Sequence, residues 1–147
     1  MIQVAVIVKE PDIVLDGNRG NHAINRLPDL DTRADFGHIM EGLAAAHAFR
    51  NRLVSQRVNY WRSKSGAEVD IVVSDVKPDQ VIEVKSGFMK RIAISRGLRS
   101  FLSKYKPERA ILLNDNLWQR KTEDDCVVEA LPIALFLLGP LSNRDSP

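Results

Sequence analysis

The chain has 147 residues, 44% hydrophobic and 27% charged, the length and apolar content of one soluble globular domain with its own core. Its longest apolar runs, 4–8 and 131–138, fall well short of a membrane span, and no small-residue cleavage pattern follows the first, so a cytoplasmic protein without a membrane partner is expected. The net charge of +2 conceals an uneven distribution, sixteen Lys or Arg against seven Asp or Glu between residues 50 and 121 and five against twelve elsewhere, and such a basic middle suits a polyanionic partner such as nucleic acid.

Residues 1–8 alternate poorly and Pro11 closes the run, so Ile13-Val14-Leu15 before Asp16-Gly17-Asn18 is a second candidate strand and turn. Residues 21–33 read as a loop with at most a short helix near 23–27. Asp35 then caps a predicted helix over 36–57, with Ile39, Leu43, Ala46, Phe49 and Leu53 as its apolar stripe, widened by Met40 and Val54. Glu41 stands near the first turn of that helix, and from spacing alone it reads as favourable charge at a helix N-terminus. His22, His38 and His47 lack metal-ligand spacing.

Val58 to Arg62 reads as a strand, Ser63-Lys64-Ser65-Gly66 as a tight connection, and Glu68 to Val73 as the returning strand. Strict alternation sets Val69, Ile71 and Val73 on one face and Glu68, Asp70 and Val72 on the other. A third strand over 81–85 has Ile82 and Val84 on one face and Val81, Glu83 and Lys85 opposite. A helix from about Ser95 carries Leu98, Phe101, Leu102 and Tyr105 inward and Arg96, Arg99 and Lys104 outward. The run 109–114 follows as a buried strand parallel to the third, 127–131 as a further strand, and Pro132 opens a short apolar helix stopped by Gly139-Pro140. Cys126, the one cysteine, sits in a setting with no thiolate activation and reads as a core residue. One domain over 1–147 is expected, with 1–12 and 142–147 peripheral.

The chemistry concentrates in Asp70, Glu83 and Lys85. Two carboxylates converging at a sheet end suit a hard divalent cation such as Mg2+ or Mn2+, with the Val84 carbonyl as a further oxygen ligand. Lys85, two residues after Glu83 and so on its side, would orient water and offset charge building on a phosphodiester. The alternative is a cross-strand ion-pair group on a solvated sheet face, and a carboxylate followed by Glu-x-Lys is by itself a loose pattern.

Three segments in combination, Gly37-His38-Ile39-Met40-Glu41, Tyr60-Trp61-Arg62-Ser63-Lys64-Ser65-Gly66-Ala67-Glu68-Val69-Asp70 and Ile82-Glu83-Val84-Lys85-Ser86-Gly87, resemble the C-terminal domain of prokaryotic AAA-type ATPases. That is a domain of unknown function related to the PD-(D/E)xK nuclease superfamily. The resemblance covers about residues 13–138. It implies an α/β fold with a restriction-endonuclease-like αβββαβ core, a mixed central sheet flanked by helices. It also implies that Glu41 joins Asp70 and Glu83 around the metal, with Lys85 activating. The sequence contains no glycine-rich phosphate loop ending in Lys-Ser or Lys-Thr, so the ATPase itself is not in this chain, nor is the winged-helix part that usually precedes the domain. A stand-alone relative or a remnant of a longer protein is expected.

Two functions from different classes follow. One is Mg2+-dependent hydrolysis of DNA, with Arg62, Lys64, Arg96 and Arg99 as candidate phosphate contacts and Tyr60 and Trp61 as candidates for base stacking or core filling. The other is a catalytically silent module that binds DNA or a protein such as an ATPase. A homodimer fits the habit of related folds, although no patch in the sequence identifies an interface.

Overall fold

The computed structural model describes residues 36–139; the strand and loop expectations for 1–33, the Asp35 cap and the tail after Gly139 lie outside them. The elements run α1 (Phe36–Asn51), β1 (Arg57–Arg62), β2 (Glu68–Ser74), β3 (Pro78–Val84), α2 (Arg96–Tyr105), β4 (Arg109–Asn114), β5 (Gln119–Glu123), β6 (Cys126–Pro132) and α3 (Ile133–Leu137). Six strands form one mixed sheet in the order β1-β2-β3-β4-β6-β5. The β1-β2-β3 meander is antiparallel, β3, β4 and β6 run parallel, and β5 returns antiparallel on β6. The fold is therefore α/β with helices on both sheet faces. Among the described residues no helix is long and apolar enough to cross a membrane.

One face packs Leu98, Phe101 and Leu102 of α2 on Val69, Val72, Val81, Ala110, Leu112, Val128 and Cys126. The other packs Ala44 and Ala48 of α1 and Ile133 and Phe136 of α3 on Ile71, Val73, Ile82, Ile111, Leu113 and Leu131. Glu129 is fully buried on β6. It is held by Arg109 of β4, by the Trp118 indole N–H at 3.3 Å and by Arg120 of β5 at 3.7 Å, which ties three strands to one carboxylate.

Four expectations are corrected. Helix α1 ends at Asn51 rather than 57, because side chains take over its last carbonyls: Asn51 Nδ2 donates to His47 O at 2.9 Å and Arg52 Nη1 to Phe49 O at 2.6 Å. Its buried face is Ala44, His47 and Ala48, with Met40 beside them; Leu43, Phe49, Leu53 and Val54 of the expected stripe are exposed. Small side chains let the helix lie close to the sheet, and that closeness selects the face. The alternation in β2 also breaks. Trp61 pairs with Val69 and Asn59 with Val72, so Tyr60 alone stands opposite both Asp70 and Ile71. This bulge puts Val69 with Val72 on the α2 side and Ile71 with Val73 on the α1 side. Finally, β5 was not expected, since Gln119-Arg120-Lys121-Thr122-Glu123 contains no apolar residue; it is an edge strand, where charge protects against further pairing. Its signal was the following Asp124-Asp125, both at positive φ (51° and 62°), a pair suited to a two-residue hairpin.

Candidate functional site

The bulge in β2 sets the site. With Ile71 opposite Ile82, the same register carried one residue further sets Asp70 beside Glu83 at the end of β3. There Asp70 Oδ2 accepts the Val84 N–H at 2.7 Å. Val84 thus reaches the site through its amide, while its side chain packs on the α1 side as the alternation predicts.

Glu83 is buried at 5% exposure, and both of its oxygens are engaged. Oε1 meets the Lys85 ammonium, and Oε2 accepts from Ser95 Oγ at 2.9 Å. Ser95 is the N-cap of α2, its Oγ also accepting the Leu98 N–H at 3.0 Å, so one hydroxyl joins the start of a helix to the Glu83 carboxylate. Lys85 is secured in turn by its backbone, which donates to Leu113 O of β4 at 2.7 Å.

Glu41 approaches from α1. Its carboxylate lies 3.3 Å from the exposed imidazole of His38, one helical turn earlier. His38, Glu41, Tyr60, Glu68 and Asp70 line a cleft of about 380 Å³ between α1 and the β1-β2 edge of the sheet. Burial pushes the Asp70 carboxyl above its usual range. The Val84 amide and, more weakly, Lys85 oppose that shift, whereas the nearby charges of Glu41 and Glu83 add to it. Burial is thus the main cause of the shift, and the neighbouring carboxylates add to it.

Among the described residues, no three His, Cys, Asp or Glu side chains are grouped tightly enough to hold a metal between them. Magnesium does not need that many, since it commonly takes one or two carboxylates and keeps its waters. Asp70 and Glu83, side by side on β2 and β3, offer carboxylate oxygens of the kind such an ion takes. Glu41 stands on the α1 wall of the cleft with His38.

The four candidate phosphate contacts are dispersed. Arg62 pairs with Glu68 at 2.9 Å on the rim of the cleft, Lys64 is exposed in the β1-β2 turn, and Arg96 is exposed beside Ser95. Arg99 faces Glu123 of β5 at 3.9 Å, toward the sheet edge opposite β1. Trp61 fills core, edge-on to Phe101 with its N–H donated to Tyr105 Oη at 3.2 Å, while Tyr60 is exposed on the cleft wall. Sequence reasoning passed over Ser95 and His38. The Ser-x-x-Leu opening of α2 signals a cap but not what the cap holds, and the spacing of His38 excludes a metal pair without pointing to Glu41.

A family model described as "Domain of unknown function (DUF4143)" matches residues 36–136, well over half of the chain. No curated protein matches it.

Proposed function

The chain belongs to the DUF4143 family, whose domain is of unknown function, and we propose that it is a Mg2+-dependent nuclease-like domain acting on DNA phosphodiester bonds. The reading takes residues 36–114, in their αβββαβ order, as a restriction-endonuclease-like core of the PD-(D/E)xK type, akin to the C-terminal domain of prokaryotic AAA-type ATPases. One observation carries it: a half-buried Asp70, bonded to the Val84 N–H, beside a Glu83 whose carboxylate holds Lys85.

In this proposal Asp70, Glu83 and the Val84 carbonyl hold the cation, and Glu41 orients water at the cleft side. When bound, the cation supplies Lewis-acid stabilisation of the charge that builds on the phosphoryl oxygens. Lys85 keeps its ammonium beside Glu83, where its charge aligns the attacking water and favours loss of that water's proton to solvent. That water's oxygen bonds to phosphorus, the bond to the leaving nucleotide oxygen breaks, and the proton passes to that oxygen through solvent. The Ser95 hydroxyl fixes the Glu83 rotamer, so the carboxylate does not have to be ordered at the moment of reaction.

A second reading has its own support. Glu83 has both oxygens engaged by Lys85 and Ser95, which also describes a closed ion-pair group in a catalytically silent module that binds DNA or an ATPase partner. Purified protein with Mg2+ or Mn2+ and labelled single- and double-stranded DNA separates the two. Catalysis predicts cleavage that needs the metal and is lost in Asp70→Ala. Intact DNA, together with an Asp70→Ala variant whose metal binding and melting with metal match the parent, rejects it. Binding lost in Lys or Arg variants but kept in Asp70→Ala would assign the module.

A further inference from the structure

The segment between β3 and α2, residues 85–95, contains neither helix nor strand, yet it is fastened along its length. Asp115 N donates to Gly87 O at 3.3 Å. The Asn116 side-chain amide grips Met89 at both ends, Met89 N donating to Oδ1 at 2.8 Å and Nδ2 donating to Met89 O at 3.1 Å. The side chains of Met89, Ile92 and Ile94 pack on the α2-side core, and Ser95 closes the segment on Glu83.

Three side chains stand out from this anchored loop. Phe88 is 85% exposed, although its apolar neighbours Met89 and Ile92 are tucked in. Lys90 and Arg91 are exposed, and neither has an ion-pair partner among the described residues. Gly87, at φ +127°, takes a backbone conformation that side chains resist and turns the chain so that Phe88 faces away from the core. The loop also lies at the mouth of the site: Ser86 Oγ is 3.6 Å from where a Cβ on Gly37 would be, in the first turn of α1, and Phe88 follows Lys85 by at most about 11 Å of chain.

An exposed ring held by a fastened backbone, next to unpaired cations, offers a flat apolar face together with phosphate contacts. In a closed duplex every base face is already covered by its neighbours, so such a ring has a partner only where bases are unpaired. We propose that Phe88, Lys90 and Arg91 form a stacking clamp for an unpaired nucleotide, which makes single-stranded or frayed nucleic acid the substrate class. The proposal rests on the nuclease reading for the direction of the strand, which runs from the clamp toward Lys85.

The test is fluorescence anisotropy on the full chain in EDTA, where no metal-dependent cleavage occurs, using a fluorescein-labelled oligothymidylate of about 20 nucleotides and a two-stranded, fully paired duplex with G·C-rich ends. Tighter binding of the single strand is expected. Phe88→Ala should weaken it by about 5- to 150-fold, the range of one base–aromatic stack, with the duplex unaffected and the circular-dichroism melt unchanged, and Phe88→Trp should restore it. Lys90→Ala with Arg91→Ala should lower the slope of log K against log salt by about 1.4. Equal binding of both DNAs, an unchanged Phe88→Ala, or a Phe88→Ala that loses self-association instead, which would assign the ring to a protein interface, overturns the clamp. A wild-type chain that never cleaves DNA yet shows the Phe88-dependent preference removes the nuclease reading and keeps the clamp; cleavage without that preference does the reverse.

Discussion

Asp70 accepts a hydrogen bond from Val84, yet its carboxyl is pushed above the ordinary value of 3.8, first by burial and then by Glu41 and Glu83. A carboxyl whose folded pKa exceeds its unfolded one costs stability wherever it is ionised, in full above the folded pKa, and the cost disappears as pH falls through that value toward 3.8. Asp70→Asn keeps an oxygen for the Val84 N–H and removes the charge. In EDTA it should raise the Tm at pH 7, and the gain should shrink as the pH is lowered through the raised pKa, as thermal melts across that range will show. A stable but inactive variant is the usual signature of a site that gives up stability for function. The charges Asp70, Glu83 and Lys85 were legible in sequence because two-residue periodicity carries Glu83 to Lys85. Their geometry was not, because one extra residue in β2 re-aims Asp70 and leaves no mark in composition.

The helices show the same division. The stripe of α2, its start near Ser95 and its basic outer side follow from spacing, and the parallel placement of β4 follows from a short apolar run after a helix. For α1 the spacing sets the largest apolar residues on the core face, and the structure buries Ala44, His47 and Ala48 instead, because packing distance outweighs side-chain size. Gly97 makes a related constraint visible. A Cβ there would stand 2.3 Å from the backbone carbonyl oxygen of Glu68, so the first turn of α2 rests directly on β2, two residues from Asp70. Gly97→Ala cannot be relieved by turning a side chain; the helix must retreat. A loss of about 1–3 kcal/mol is expected in denaturant titrations. Because Ser95 moves with the helix, the Glu83 contact should loosen as well, so metal affinity should fall further than in an equally destabilised variant altered elsewhere.

Across the whole molecule, the excess of cations between residues 50 and 121 does not gather into one patch. Arg62 and Arg99 spend charge on Glu68 and Glu123, Arg109 and Arg120 on Glu129. Exposed cations remain on α1 (Arg50), β1 (Arg57), the β1-β2 turn (Lys64), the β3-α2 loop (Lys90 and Arg91) and α2 (Arg96 and Lys104), so net charge by itself points to no one surface. The sheet is closed off at its β5 edge by charge and by the Glu129 anchor, and directly behind that edge Cys126 begins β6, 1% exposed and with its thiol pushed up to about 11 by burial. Being the chain's one cysteine, it is a native reporter of opening. A thiol reagent can reach it only after β5 peels from β6 or α2 lifts from the sheet. Labelling near pH 8 should therefore be slow and quicken with sub-denaturing urea. Where opening is fast and the thiol chemistry limits, the pH profile should follow an ordinary thiol near 8.5 rather than the suppressed native one, and at high reagent, where opening limits, the rate should become independent of pH and of reagent concentration. The rate then times how often this edge of the protein comes apart while the rest stays folded.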